Sequence, residues 1–130
     1  GADAVGARVP LVAFNVYLAS SDEALAASIA RGVRESGGGL PAVRAIGFWV
    51  PERRAVTVSM NLVDHAATGL RRAFDEVAGR AEEAGVEVVG SEIVGLVPAA
   101  ALGPGDAAHV RLEGFEPDAQ ILERLIEEDG

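Results

Sequence analysis

The sequence predicts a single α+β domain built on the element order β-α-β-β-α-β. Two observations predict this class: short runs of branched and aromatic residues read as strands, and two amphipathic stretches with helical spacing fall between them. The length of 130 residues suits one domain, taken as residues 1–130. Apolar residues make up 49% of the chain, which provides a buried core and excludes a disordered chain.

The first strand and helix follow a short linker. Residues 1–8 lack periodicity and are predicted to lead into the fold, and residues 9–18 are predicted to form the first strand. The segment Ser20-Ser21-Asp22-Glu23 supplies capping oxygens and first-turn carboxylates for a helix. Three consecutive glycines at 37–39 are expected to end that helix.

The middle of the chain predicts a hairpin and then the clearest helix. Residues 42–50 and 55–63 are two strands joined by a turn at 51–54. Residues 66–84 have one apolar and one charged side, and Gly85 is the expected stop. The fourth strand is predicted at 86–90, with Val94 as an alternative end.

A helical extension is expected at 103–130. Before it, Pro98 opens a short helix that Gly103-Pro104-Gly105 breaks. Residues 117–128 form a last acidic helix whose inward side chains are Leu122, Leu125 and Ile126. The extension can add a further helix or an element at the sheet edge.

Right-handed crossovers would place both main helices on one face of a four-stranded antiparallel sheet, with strands 1 and 3 in the middle. This arrangement is the ferredoxin-like split βαβ sandwich.

Charge and composition exclude several functions. The net charge of −9 opposes binding to nucleic acid or an anionic membrane. All basic residues are arginine, so lysine chemistry is excluded, and without cysteine there is no thiol nucleophile or thiolate metal site. The absence of cysteine fits a cytoplasmic protein. No apolar run approaches the roughly 20 residues that span a bilayer.

One face of the predicted sheet is too polar for an ordinary core. Alternation along strands 1 and 3 directs one set of apolar residues toward the helices. The opposite face then collects Asn15, Tyr17, Ser59 and Asn61. Two interpretations remain open: a sheet face that is polar because water covers it, or a face that lines a ligand site, for which uncharged Asn and Ser suit a polar heteroaromatic molecule.

The segment from Gly90 to Pro98 is also unusual, because Gly90 and Gly95 bracket a strand end just before a helix start. Glycine there would permit the close approach of a ligand or a second backbone, and a bulge followed by a turn would explain it equally well.

No conventional catalytic group of residues is evident. His65 and His109 are far apart in sequence, so a metal site is not expected. His65 is interpreted as a surface residue, with a general base beside a ligand as the alternative. Arginines that could bind a carboxylate or simply be surface charges are Arg8, Arg44, Arg53 and Arg54.

Four ordered motifs resemble the glutamate formiminotransferase family, specifically its C-terminal subdomain. They are Gly6-Ala7-Arg8, Val12-Ala13-Phe14-Asn15-Val16, Val58-Ser59-Met60-Asn61-Leu62 and Gly90-Ser91-Glu92-Ile93-Val94-Gly95-Leu96-Val97-Pro98. The resemblance covers about Gly1 to Leu102.

The resemblance implies transfer of a formimino group from N-formimino-L-glutamate to tetrahydrofolate, a co-substrate, in histidine degradation. It further implies that folate lies in a groove between two subdomains, with the sheet of the second subdomain as one wall. It places the matching motif residues near the pterin and the transferred group: Asn15, Ser59, Asn61, Ser91, Glu92 and Gly95. Arg8 would bind a glutamate carboxylate.

The resemblance also implies that the catalytic histidine belongs to the N-terminal subdomain, and neither His65 nor His109 corresponds to it. The chain is therefore expected to be inactive without that subdomain, whether covalently linked or a separate chain. The alternative is a non-catalytic module that binds a small ligand or self-associates through its open sheet face, which makes a homodimer conceivable under either hypothesis.

Overall fold

The computed structural model describes residues 10–129, with side chains described for residues 10–125. Four strands form one antiparallel sheet in the order β2-β3-β1-β4. They are β1 (Val12–Leu18), β2 (Val43–Val50), β3 (Ala55–Leu62) and β4 (Val88–Val94). The main helices are α1 (Glu23–Val33) and α2 (Leu70–Glu83). The predicted α+β, ferredoxin-like order, with β1 and β3 central, is confirmed.

The core lies between the sheet and the two helices. Strand alternation directs Val12, Phe14, Val16 and Leu18 of β1 inward, and each is fully buried. They join the inward residues of β3 and the apolar sides of α1 and α2 in one cluster. Because these strand residues share one parity, the other parity defines a sheet face that neither helix covers.

Helix α1 begins as predicted, since the side chain of Asp22 accepts a hydrogen bond from the backbone N–H of Leu25 at 3.2 Å. It ends at Val33, and the short 3₁₀ turn that follows at Glu35–Gly37 contains the first of the three glycines. A Cβ on Gly47 of β2 would overlap the backbone of Ala26, so α1 and β2 pack at a distance that only glycine permits.

Three predicted boundaries are wrong by a few residues. Strand β1 begins at Val12 and not at residue 9, and Pro10 and Leu11 precede it. Helix α2 begins at Leu70 and not at residue 66, because Asp64 accepts the backbone N–H groups of Ala66 and Thr68 in a turn. Strand β4 begins at Val88 and reaches Val94, the alternative end. The backbone N–H of Val86 still donates to the helix carbonyl of Ala81, which delays the start of the strand.

The predicted C-terminal extension consists of short helices: α3 (Asp106–His109), α4 (Pro117–Gln120) and α5 (Leu122–Asp129). The expected continuous helix at 117–128 is interrupted at Ile121, whose backbone is extended where it bridges Val97 in parallel. Leu122 and Leu125 are half-buried, and the side chain of Ile126 lies outside the described side chains. A 3₁₀ turn at Ala99–Ala101 stands in place of the short helix expected there.

The extension also adds an element to the sheet edge. Ser91 of β4 and Leu112 form a parallel bridge, and the backbone N–H of Ser91 donates to the carbonyl of Arg111 at 3.0 Å. Val110 is fully buried in the same core as the sheet. The extension therefore belongs structurally to the domain and covers the β4 edge.

Within residues 10–129, no helix combines the length and the apolar character that a bilayer crossing needs.

A polar sheet face as the candidate functional site

The sheet surface opposite α1 and α2, here called the helix-free face, is organised in rows of directly opposed residues. The strand register defines three rows from β2 to β4. The first is Arg44, Asn61, Ala13 and Val94; the second is Ile46, Ser59, Asn15 and Glu92; the third is Phe48, Thr57, Tyr17 and Gly90. Opposed side chains lie about 5 Å apart, so each row is a contiguous strip.

The middle row places uncharged polar groups beside a carboxylate. Ser59, Asn15 and Glu92 occupy three neighbouring strands and are each half-buried. Asn61 stands in the adjacent row and is exposed. Within residues 10–125, the side chains of Ser59 and Asn61 make no hydrogen bond, so their donors and acceptors can serve whatever covers the face.

The third row is closed. Tyr17 is 4% exposed and Thr57 is fully buried, although both belong to the helix-free face. The Thr57 hydroxyl donates to the carbonyl of Val16 at 3.0 Å. The Tyr17 hydroxyl reaches diagonally across to β4 and donates to Oε1 of Glu92 at 2.7 Å. The exposure of the side chains therefore increases along the strands from the third row to the first.

An ion pair covers the Tyr17 ring. Arg53, in the turn between β2 and β3, places its guanidinium carbon 4.0 Å from the ring centroid, which is a cation–π contact. Its Nη2 lies 2.6 Å from Oε1 of Glu113 in the extension. Gly90, opposite Tyr17, leaves the space that the Glu113 carboxylate occupies, because a Cβ there would overlap it. Turn and extension thus meet over the closed end.

The surroundings of Tyr17 shift its proton equilibrium. Burial of the ring, followed by the hydrogen bond to the Glu92 carboxylate and its negative charge, raises the pKa of the Tyr17 hydroxyl above its ordinary value of 10.0. The neighbouring Asn15 side chain and the Arg53 guanidinium partly oppose this shift. Tyr17 therefore remains a hydrogen-bond donor to Glu92 throughout the neutral range.

Apolar side chains flank the polar middle of the face. Ile46 on β2 is 60% exposed, and Val94 on β4 is 50% exposed. Phe48 adds a partly exposed aromatic ring beside the closed end. Large apolar groups on both sides of a polar strip are typical of a surface that another protein surface or a ligand covers.

The structure brings four of the seven predicted site residues together: Asn15, Ser59, Asn61 and Glu92. It does not bring Ser91 to this face. Ser91 stands opposite Val16 on the core side, is fully buried, and donates through its hydroxyl to the carbonyl of Val110 at 2.6 Å. Its side chain therefore anchors the extension.

Gly95 and Arg8 are the two remaining predicted site residues. Gly95 adopts a φ of 76° just after β4, with open space around the position of a Cβ, so the turn itself requires glycine. Its carbonyl accepts a hydrogen bond from Nε2 of Gln120 at 2.9 Å. Arg8 lies outside the described residues.

Sequence reasoning missed the roles of Arg53 and Glu113. The sequence presents Arg53 only as one of four arginines able to bind a carboxylate, and the carboxylate that it contacts lies 60 positions away. No local pattern indicates that pairing. An indirect signal existed, since Gly90 is a glycine inside a strand, which often marks the close approach of another group.

Both histidines of the sequence fall within the described residues. His109 Nε2 lies 2.7 Å from Oδ1 of Asp75 on α2, and its ring packs edge-on against Phe74. His109 is therefore held in the helix layer, on the other side of the sheet from the helix-free face. Within the described part of the chain, no three His, Asp or Glu side chains are grouped to hold a metal ion.

These features define a class: an α+β domain with a split βαβ core whose open sheet face is partly polar and partly apolar. Comparison with known proteins is more specific, because the model of the formiminotransferase domain family matches residues 13–113. This chain belongs to the formiminotransferase domain family.

Several known proteins are similar to this chain over most of its length. A glutamate formimidoyltransferase of Streptococcus pyogenes serotype M1 is 43% identical over 126 residues, which is 97% of this chain and 42% of that protein. One of Thermoplasma acidophilum is 39% identical, over 98% of this chain and 42% of its own length. A formimidoyltransferase-cyclodeaminase of Sus scrofa is 36% identical over all of this chain and 29% of its own length. The chain thus spans less than half of these curated relatives.

Proposed function

We propose that this chain is the folate-facing half of a glutamate formimidoyltransferase. Its helix-free face would line one wall of a groove in which the formimino group moves from N-formimino-L-glutamate to tetrahydrofolate, in histidine degradation. The observation that supports this most directly is the middle row, where Ser59, Asn15 and Glu92 stand side by side on three strands. The absence of cysteine supports a cytoplasmic location.

The residues of this face suit a polar heteroaromatic co-substrate. Amide and hydroxyl groups supply donors and acceptors without charge, and Glu92 adds one anionic acceptor. The exposed Ile46 and Val94 would contact apolar parts of the ligand or the opposite wall. The ligand-binding residues proposed here are Asn15, Ser59, Asn61 and Glu92, with Arg8 as the partner of a glutamate carboxylate.

The opposite wall is proposed to come from the part of the relatives that this chain does not match. Formimino transfer requires a group that moves a proton between the accepting folate nitrogen and the leaving amine. His109 is engaged by Asp75 in the helix layer and is not placed to do so. Neither His65 nor His109 corresponds to the catalytic histidine that the resemblance implies, so we expect the proton-transferring group to lie outside this chain, which would be inactive alone.

A segment exchange tests the activity. The region of the Streptococcus pyogenes relative that corresponds to this chain is replaced by the chain, and formimino transfer to tetrahydrofolate is measured. We expect transfer by the chimera and none by the chain alone. A chimera that folds, as judged by circular dichroism, but transfers nothing would contradict the proposal. Activity of the chain alone would contradict the expected inactivity.

A titration tests the location of the ligand. Folinic acid is added to the isotope-labelled chain while backbone amide shifts are followed. We expect the largest shifts at residues 13–17, 57–61 and 92–95, which belong to the helix-free face or border it. Shifts confined to α1, α2 or the extension would refute the assignment of the face while leaving the family membership intact.

A second candidate, self-association through the helix-free face, is supported by the exposed Ile46 and Val94. Sedimentation analysis distinguishes the two. A dimer that Ile46→Arg disrupts would favour self-association, provided that folinic acid leaves the dimer unchanged. A monomer that binds folinic acid would favour the transferase half.

A further inference from the structure

Glu92 is held in a defined orientation in the middle row of the helix-free face, on the outer strand β4. It stands directly opposite Asn15 on β1 and is half-buried. Oε1 accepts a hydrogen bond from the Tyr17 hydroxyl at 2.7 Å, and within residues 10–125 this is its only side-chain hydrogen bond. A carboxylate has about four acceptor positions, so most of its hydrogen-bonding capacity remains for a ligand.

Tyr17 is itself fixed from both sides. Its ring is 4% exposed, and the Arg53 guanidinium stacks on it with the carbon 4.0 Å from the centroid. Arg53 is in turn paired with Glu113. The turn that presents Arg53 has Arg54 at a φ of 52°, a conformation that non-glycine residues adopt only when their surroundings demand it. Tyr17 could therefore rotate, and lose its hydrogen bond to Glu92, only if Arg53 moved away from the Tyr17 ring.

We propose that Glu92, oriented by Tyr17, selects a flat heterocycle that presents two adjacent N–H donors, a ring N–H beside an exocyclic amino group. Two parallel N–H bonds to one carboxylate are strong and geometrically specific. Tyr17 and Arg53 act as positioning residues and do not themselves contact the donor pair. The inference rests on the proposed function in one respect: the pyrimidine ring of the folate pterin has such a donor pair.

The neighbour of Glu92 makes the selection more specific. Asn15 is directly opposite, about 5 Å away between Cβ atoms, and its amide can donate to a carbonyl oxygen beside the donor pair. A heterocycle that presents a carbonyl, a ring N–H and an amino group in this order along one side therefore matches Asn15 and Glu92 together. An edge in which a second carbonyl replaces the amino group would set that oxygen against the Glu92 carboxylate.

The test compares pterin with lumazine, which has a second carbonyl where pterin has the exocyclic amino group. Dissociation constants of both are measured with the wild-type chain and with Glu92→Gln, Tyr17→Phe and Glu82→Gln. Glu82 is an exposed carboxylate on α2 and provides the matched control. Circular dichroism and urea unfolding establish that every variant is folded.

We expect the wild-type chain and Glu82→Gln to prefer pterin by about tenfold, and Glu92→Gln to lose this preference. Tyr17→Phe keeps the ring beneath Arg53, so we expect the fold to remain and the preference to fall by about threefold. Equal affinities for the two heterocycles in the wild-type chain, or no binding of either, would overturn the inference.

The outcome is separable from that of the proposed function. If folinic acid shifts the amides of the helix-free face but pterin and lumazine bind equally, the proposed function stands and the selection by Glu92 is refuted. If pterin is preferred through Glu92 but folinic acid does not bind the face, the selection stands and the folate assignment is refuted.

Discussion

Ser59 and Ser91 lie on opposite sides of the same sheet, although both belong to strands that flank β1. Ser59 stands opposite Asn15 on the helix-free face, whereas Ser91 stands opposite Val16 on the core side. The Ser91 hydroxyl donates to the buried carbonyl of Val110 at 2.6 Å, and the Ser59 hydroxyl has no partner within residues 10–125. Ser91 therefore has a structural contact in the core, whereas Ser59 has a hydroxyl on the helix-free face that is free among those residues. Substitution of each serine by alanine distinguishes the two positions.

Replacement of Ser91 by alanine is expected to lower stability, and replacement of Ser59 by alanine is expected to weaken ligand binding. Ser91→Ala leaves the Val110 carbonyl without its partner and lowers the free energy of unfolding by about 1–2 kcal/mol. Ser59→Ala changes that free energy by no more than about 0.5 kcal/mol, as a surface substitution does, but weakens folinic acid binding. Urea unfolding and calorimetric titration measure the two quantities. Unchanged stability in Ser91→Ala, or unchanged affinity in Ser59→Ala, would contradict the corresponding role.

Two glycines give a second matched pair. A Cβ at Gly47 would overlap the backbone of Ala26, which cannot move without displacing α1, so Gly47→Ala should destabilise the fold by about 1–3 kcal/mol. Gly79 lies within α2 with open space around the position of a Cβ, so Gly79→Ala should stabilise the fold by about 0.5–1 kcal/mol. Thermal and urea unfolding of both variants measure these changes. If Gly47→Ala were as stable as the wild type, α1 and β2 could not be as closely packed as described.

Alternation along β1 and β3 was sufficient to predict the helix-free face, because both strands are regular and one side must be apolar. The same reasoning did not place Ser91. The pairing of β1 with β4 shifts between Tyr17 and Leu18, whose partners are Gly90 and Val88. Because of this shift, even-numbered residues of β4 lie on one face before it and on the other face after it. A bulge of that kind has no sequence signature beyond a glycine.

Contacts between distant segments were equally beyond prediction. The ion pair of Arg53 with Glu113 depends on how the extension returns along β4, and that path depends on single backbone bridges at Ser91 and Val97. The predicted start of α2 is too early, since Ala66 and Ala67 favour a helix. A local turn at Asp64 and a long-range hydrogen bond from the Thr68 hydroxyl to the carbonyl of Pro41 oppose it.

Asp106 is expected to make the fold sensitive to acid. Partial burial works to raise the pKa of its carboxyl, but the hydrogen bonds from Arg71 and from the backbone N–H of Gly103 outweigh it and hold that pKa below the ordinary 3.8. Because the folded pKa is the lower one, the stabilisation is present above about pH 4 and is lost as the pH falls through the folded pKa. Asp106→Asn should cost about 1 kcal/mol at neutral pH.

Urea unfolding of the wild type and of Asp106→Asn between about pH 5 and pH 3 checks this. The two free energies of unfolding should converge as the pH falls, since protonation removes from the wild type what the substitution has already removed. Asp118→Asn is a suitable control, because its carboxylate is 85% exposed and pairs with Arg124 at the surface. A constant difference across the pH range would refute the assignment.

Tyr17 can be titrated without interference, because it is the one tyrosine of the sequence. Its phenolate absorbance should develop at a pKa above 10.0, and Glu92→Gln should lower that pKa by removing the negative charge that disfavours the phenolate. Since the folded pKa exceeds the unfolded one, the contribution of Tyr17 to stability is present below pH 10.0 and is lost as the pH rises through the folded value. Fluorescence of Trp49, the single tryptophan, reports whether the chain is still folded at each pH.

A tyrosine that titrates at or below 10.0 in the folded chain, or a pKa unaffected by Glu92→Gln, would mean that the hydroxyl and the carboxylate do not share a hydrogen bond in solution. The donor that orients Glu92 would then be lost.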